Sequence, residues 1–359
     1  MMESMSAEFM KHFGQSETLT PFLDSLYTRS ISFRNFYSAG IHTNHGLYAT
    51  LYSFPAMMKR NLMKGSVIPR YSGLPTVLKE NGYYNLFFMT HEGQYDNMNA
   101  FFRTNGYDEV FSQEDYPVDK VVNSFGVQDD FLYDYAIPVL NQRAATGQPF
   151  FATLLSISNH PPYVIPPFFH PKTSEPETQI VEYADWALRQ FFEEARKQPW
   201  FDNTIFVLEG DHGKLVGDAE CELPESYNHI PLMIYSSRIQ PEEKTTFGGQ
   251  VDIQPTILGL LNIDYLQNNF GVDLLKEERP CMFYTADNMV VGRNDTLLYL
   301  YNYETQQELT YDIGNGKLNA VPMDDSFLPL KEYSFSMLQS AEFLVKHGKT
   351  LNSIPFTQQ

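Results

Sequence analysis

The chain has 359 residues, 43% of them hydrophobic and 15% aromatic, which is ample material for a sizeable buried core. Its formal net charge of −19 argues against nucleic acid, because nothing here could neutralise a run of phosphates. The same balance leaves no polybasic patch for an anionic membrane. Cys221 and Cys281 are too few for a disulfide framework, and the sequence is as compatible with one bridge as with two free thiols.

No apolar run approaches the length of a membrane span. Met1-Met2-Glu3-Ser4-Met5 has neither a charged leader nor a helix cap and reads as the tail of a strand. The chain is therefore expected to be a soluble piece of something longer. Thr20-Pro21 predicts a helix start, with Phe22, Leu23 and Leu26 as its apolar face. Residues 31–37 read as a strand. A turn-rich stretch, Ser38-Ala39-Gly40-Ile41-His42-Thr43-Asn44-His45-Gly46, then leads into a helix from about Leu47. Thr43 would thus lie near a helix N-terminus, where free N–H groups favour an anion.

Residues 74–81 predict a helix stopped by Gly82, and residues 84–90 a strand that delivers His91. A helix over 98–105 closes at Gly106, and residues 129–141 continue the alternation. The strongest strand, residues 149–158, delivers Asn159-His160-Pro161-Pro162. An amphipathic helix follows, with Ile180, Ala184, Ala187, Leu188, Phe191 and Ala195 on one stripe. Next comes Thr204-Ile205-Phe206-Val207-Leu208-Glu209-Gly210-Asp211-His212-Gly213, an apolar run ending in turn chemistry, as a buried parallel strand does. Residues 230–235 add a strand and 255–261 a helix.

This alternation predicts an α/β fold, a mostly parallel central sheet sandwiched by helices, over residues 1–275. Residues 276–359 change character. Short antiparallel strands at 281–284, 289–291, 296–301 and 308–312, then a helix over 333–347, form a small α+β subdomain.

Ligands of open α/β sheets bind beyond the carboxyl ends of the strands. Glu3, Thr43, Asp211 with His212, and the pair His91 and His160 all fall where such ends should meet. Each alone is weak: Glu3 reads as a surface carboxylate, Thr43 as an N-cap, His91 and His160 as loop histidines. Together they make a metal site with a hydroxyl beside it. A carboxylate next to an imidazole suits Zn²⁺ or Mn²⁺. A metal that polarises phosphoryl oxygens and lowers a hydroxyl pKa is what phosphoryl transfer needs.

Met2-Glu3-Ser4, Leu19-Thr20-Pro21-Phe22-Leu23-Asp24-Ser25-Leu26, Ser38-Ala39-Gly40-Ile41-His42-Thr43, Ser158-Asn159-His160-Pro161, Gly210-Asp211-His212-Gly213, His229-Ile230-Pro231 and Val251-Asp252-Ile253-Gln254-Pro255-Thr256 occur in that order. In this the chain resembles lipoteichoic acid synthase-like phosphoglycerol transferases of the sulfatase/alkaline-phosphatase superfamily. The resemblance implies an extracytoplasmic, cell-envelope catalytic domain tethered by membrane helices N-terminal to it. It implies one divalent ion, Mn²⁺ before Mg²⁺ or Zn²⁺, on Glu3, Thr43, Asp211 and His212, with Thr43 also the nucleophile. His160 matches a substrate or general-acid position, and His91 another pocket position. His229 is counted with the pocket, although the stronger reading of it is a buried histidine starting a strand.

The implied activity moves a phosphoglycerol- or phosphoethanolamine-type headgroup from a lipid phosphodiester to an envelope glycan or glycerol-phosphate acceptor, through a phosphothreonine. The alternatives are a hydrolase of phosphodiesters or sulfate esters and a non-catalytic binding domain. One departure concerns the aromatic-Asn-Arg stretch of members acting on phosphatidylglycerol. Its counterpart here, Tyr95-Asp96-Asn97-Met98, keeps Asp96 and Asn97 as pocket candidates but lacks the arginine that would clamp phosphate. Thr43-Asn44-His45-Gly46-Leu47 also lacks the Cys/Ser precursor and arginine of sulfatases, which argues against sulfate-ester hydrolysis.

Overall fold

Residues 1–65 and 67–352 are described by the structure, a computed structural model. Helix α1 (Pro21–Tyr27) begins at the proline, whose missing N–H is no loss in a first turn. Strand β1 (Ile31–Tyr37) and helix α2 (Thr43–Tyr52) follow. Helix α3 (Leu74–Glu80), strand β2 (Tyr84–Met89), helix α4 (Met98–Thr104) and strand β3 (Glu109–Phe111) come next. Helix α5 (Asp129–Ala144), strand β4 (Phe150–Leu155) and the long helix α6 (Pro176–Ala195) continue the alternation. Strands β5 (Phe206–Glu209), β6 (Leu232–Tyr235) and β7 (Glu242–Gly249) and helix α7 (Ile253–Leu260) complete this part.

Strands β3, β2 and β4 pair in that order, all parallel. A second group runs β5-β6-β1-β7, with β1 parallel to β7 and β6 antiparallel to both β5 and β1. Residues 1–3 join the two groups. Met1 N donates to Leu154 O (2.8 Å), and Ser156 N donates to Met1 O (3.1 Å). On the other side Met2 N donates to Glu209 O (2.7 Å), and Asp211 N donates to Met2 O (3.0 Å). The result is one sheet, parallel except at β6. On the N-terminal side of this junction, β4 and β5 flank an apolar cavity of about 200 Å³ lined in part by Phe151, Leu154, Phe206 and Val207.

Alternation along β2 feeds both faces of the sheet. Leu86 and Phe88 pack with Leu132 and Ala136 of α5 and Ala187 and Phe191 of α6. Phe87 and Met89 pack with Leu47 and Leu51 of α2 and Phe101 of α4.

Two strands of this sheet were not anticipated. β3 spans three residues, too short for a periodic signal. β7 opens on Glu242-Glu243-Lys244-Thr245-Thr246, polar residues that an edge strand tolerates because only one side of it is paired. Helix α2 begins at Thr43 rather than near Leu47, which makes Thr43 its first residue.

Beyond α7, strands β8 (Met282–Thr285), β9 (Met289–Arg293), β10 (Leu297–Asn302), β11 (Gln307–Asp312) and β12 (Asn319–Ala320) form an antiparallel sheet in sequential order. Helix α8 (Leu328–Lys346) packs on β8 and β9 and starts ahead of the expected Tyr333. Both cysteines are free thiols.

A buried ion pair ties this subdomain to the main sheet. Arg279 Nε donates to both oxygens of Asp252 (2.8 and 3.0 Å), while its other nitrogens reach Tyr333 Oη (2.7 Å) and Phe270 O (2.6 Å). Asp252 in turn accepts from Gly249 N and Val272 N. Arg279→Ala would leave that carboxylate buried without its cation. It should cost about 3–5 kcal/mol in urea unfolding, the usual penalty for breaking a buried pair from one side.

Candidate metal centre

Glu3 sits at the end of the joining segment and Asp211 and His212 just past β5, so adjacent strands deliver all three. One ligand atom from each of these residues lies within 4.8 Å of the others. His212 Nε2 is 3.8 Å from Glu3 Oε1 and 3.7 Å from Asp211 Oδ2. The Thr43 hydroxyl, from the first turn of α2, donates to Glu3 Oε2 at 3.5 Å.

The surroundings fix which atoms face inward. Asp211 Oδ1 accepts from Ser4 N (2.8 Å) and His212 N (2.7 Å), whereas its buried Oδ2 has no protein partner. Ser4 Oγ donates to Glu3 Oε1, and Ser156 Oγ accepts from Glu3 N. Asn159 Nδ2 donates to the carbonyls of Glu3 and Ser4, both at 3.1 Å. His212 Nδ1 lies 2.8 Å from Gly213 O, which assigns its proton to Nδ1 and leaves the Nε2 lone pair for a cation.

Burial, and after it the Asp211 carboxylate, push the Glu3 carboxyl well above its usual range. Two buried carboxylates converging without a cation oppose each other's ionisation, and a divalent ion between them removes that penalty. The donor set of two carboxylates, a neutral imidazole and a hydroxyl therefore fits one divalent ion.

Helix α2 reaches this point only because residue 46 is glycine. A Cβ on Gly46 would stand 2.1 Å from Asp211 O. Gln250, fully buried, holds the same corner: it donates to Gly210 O and Asp211 O and accepts from Ala39 N.

The centre opens into a cleft of about 680 Å³ whose walls include Thr43, Asn44, Tyr95, Asp96, His160 and His212. His160 stacks on Phe125 (4.0 Å between centroids), with Nδ1 2.6 Å from Pro161 O. Asp129 holds that loop by accepting from Ile157 N and Ser158 N. Asp96 and Asn97 both adopt left-handed backbone, φ 50° and 64°. Asp96 pairs with Lys64 at 2.7 Å and accepts from Asn44 Nδ2 at 3.3 Å.

Three expected pocket residues are not on the cleft wall. Asn97 turns its amide to Met63 O (3.0 Å). His91 is buried behind Tyr95, 4.6 Å between ring centroids. His229 requires a correction: Nδ1 bonds Glu8 and Nε2 bonds Arg34 O, both at 2.8 Å, so no nitrogen remains for a substrate.

Lys214 is the group that residue-by-residue reading missed. Its ammonium donates to Asn159 Oδ1 (2.6 Å) and Tyr163 Oη (3.2 Å) and lies near the Phe9 and Tyr163 rings. Burial pulls its pKa down to about 8. Its position directly after Gly213 was the available signal.

Residues 1–263 match the Sulfatase family. The chain belongs to that family. Among curated relatives, lipoteichoic acid synthase 1 of Bacillus subtilis is 26% identical over 69% of this chain and 40% of its own length. The lipoteichoic acid synthase-like YvgJ of the same organism is 24% identical over 92% of the chain and 56% of its own length. The chain thus spans about half the length of the curated relatives it matches. Among solved structures, an alkaline phosphatase superfamily protein from Vibrio parahaemolyticus is 27% identical with a TM-score of 0.87, covering 97% of this chain and 86% of that one. The lipoteichoic acid synthase LtaP of Listeria monocytogenes shares the fold at 21% identity and a TM-score of 0.82, covering 96% of this chain and 90% of that one. The fold is accordingly the alkaline phosphatase/sulfatase type.

Gly46→Ala should weaken divalent-ion binding about tenfold or more in calorimetric titration, because α2 and Asp211 must move apart. Affinity equal to that of the parent would show that the close approach does not hold the centre together. His229 supplies a pH test of stability. Burial lowers its pKa, but Glu8, Glu225 and the Arg34 carbonyl together outweigh burial and the net shift is upward. Its contribution is complete below about pH 6.5, the unfolded value, and is lost as pH rises through the higher folded value. The urea midpoint should fall over that range, and His229→Gln should flatten the fall.

Proposed function

We propose that this chain is the catalytic part of a metal-dependent phosphotransferase. It would move a phosphoglycerol- or phosphoethanolamine-type headgroup from a lipid phosphodiester through a phosphothreonine on Thr43. The observation that carries this reading is the meeting of Glu3, Asp211, His212 and the Thr43 hydroxyl at the head of one cleft. The lipoteichoic acid synthases among its relatives support the reaction class and a site of action at the cell envelope.

A divalent ion held by these residues, with Mn²⁺ favoured over Mg²⁺ or Zn²⁺, would polarise the phosphoryl oxygens and lower the pKa of the threonine. Thr43 Oγ1, its proton released to bulk water, would attack phosphorus while the bond to the lipid alcohol breaks. His160 Nε2, on the cleft wall, protonates the departing oxygen. In the second half the neutral His160 takes the proton of the acceptor hydroxyl, an envelope glycan or glycerol phosphate, as that oxygen displaces Thr43. Oriented donors and fixed charge around the phosphoryl group supply most of the acceleration.

Thr43→Ala should abolish turnover of a headgroup phosphodiester while leaving about one divalent ion per chain, because Glu3, Asp211 and His212 remain. Mass spectrometry of the parent after incubation should show a phosphoryl adduct on the peptide containing Thr43. Normal cleavage by Thr43→Ala would rule out covalent catalysis there and favour direct attack by water, a hydrolase.

A further inference from the structure

Among the described residues, Lys214 is the sole lysine or arginine on the wall of the cleft. Its ammonium has three donors, two of which are taken by neutral oxygens, those of Asn159 and Tyr163. Two aromatic rings flank it, with centroids at 4.7 and 5.2 Å. Among the described residues it makes no ion pair within 4.0 Å, while on the same wall Asp96 is matched by Lys64, His42 lies against Asp287, and Glu177 is exposed at the start of α6. A partly buried cation without a counter-ion is costly unless the site's ligand brings the charge.

The charges of the centre point the same way. Glu3 and Asp211 together carry two negative charges, which one divalent ion balances. Lys214 is then the positive charge left beside the centre, and the cleft's remaining carboxylate, Glu177, makes no ion pair with it. Its nearest steering carboxylates are Glu3, already committed to the ion, and Glu177, which is exposed at the start of α6.

We propose that Lys214 is a substrate-binding residue that receives a non-bridging oxygen of a singly charged phosphodiester. Asn159 and Tyr163 aim the ammonium, and its third N–H meets the phosphoryl group. The residue supplies the positive charge that the arginine-free stretch Tyr95-Asp96-Asn97-Met98 does not. Asn159 binds the backbone of Glu3 and Ser4 as well, so one amide fixes the lysine relative to the metal ligands. This inference rests on the phosphodiester reading of the cleft and names the group that recognises the anion.

The probe is bis(4-nitrophenyl) phosphate, a soluble monoanionic phosphodiester, with Mn²⁺-loaded protein. Binding is read by calorimetry in a Thr43→Ala background, where turnover does not interfere, and KM and kcat are read in the parent. Lys214→Met should raise Kd and KM about ten- to a hundredfold, the loss expected for one charge-assisted hydrogen bond. Mn²⁺ content and thermal midpoint should stay at parent values. Lys214→Arg should recover most of the affinity, and Lys214→Gln serves if the methionine variant does not fold.

A Kd within twofold of the parent in a folded, metal-loaded Lys214→Met or Lys214→Gln variant overturns the assignment and leaves Lys214 as a strut for Asn159. A parent that binds no phosphodiester overturns the reading of the cleft and this inference together. Parent binding that is indifferent to the lysine overturns the inference alone.

Discussion

The pairing of residues 1–3 between β4 and β5 is the constraint on which both the sheet and the centre depend. Four backbone hydrogen bonds, two on each side, turn a three-stranded and a four-stranded group into one sheet. The same bonds set Glu3 beside Asp211, because Met2 pairs with Gly210 in parallel register. At roughly 1 kcal/mol net per hydrogen bond, this junction is modest, and a cavity lies directly beside it. An ion held by Glu3, Asp211 and His212 would clamp the joining segment to the end of β5. Metal binding there would be thermodynamically linked to sheet integrity, since a ligand bound only to the folded form stabilises it.

Much of this was legible in the residues, and the misses have physical causes. Strands β2, β4 and β5 are continuous apolar runs ending in polar turns, so their positions and the placement of His91, His160 and Asp211 followed from composition. Composition carries no strand direction, and so β6 could not be read as the antiparallel member. The first turn of α2, Thr43-Asn44-His45-Gly46, is made of weak helix formers. It is helical because Asn44, His45 and Gly46 are buried against the strand ends, a tertiary effect that propensity does not contain. His229 illustrates the reverse error. A histidine beside a motif looks available until its two nitrogens are traced to Glu8 and Arg34.

Glycine and asparagine decide how closely the elements converge. Gly46 lets a helix N-terminus touch the backbone of Asp211, and Asn159 ties the loop after β4 to the turn at Ser4. These contacts lock the ligand-bearing backbone from several directions before any ion arrives. Such preorganisation is what a metal centre needs if its ligands are to keep their geometry while a phosphoryl group changes partners.

The electrostatics of the cleft follow from the same economy of parts. At pH 7 the chain carries a large negative charge, which repels an anionic lipid headgroup at long range. Attraction must then be local, and short-range charge in a partly buried site is screened less than charge on the surface. Asp96, held in strained left-handed backbone, brings a further negative charge to the wall, but Lys64 neutralises it. What remains is the cluster of Glu3, Asp211 and His212 with one lysine beside it, and the exposed Glu177 on the same wall. An anion carrying a single charge satisfies that arrangement, whereas a second charge on the ligand would meet the carboxylates without a matching cation. On the proposed reading, the charge count at the strand ends constrains the anion the cleft accepts before any shape is considered.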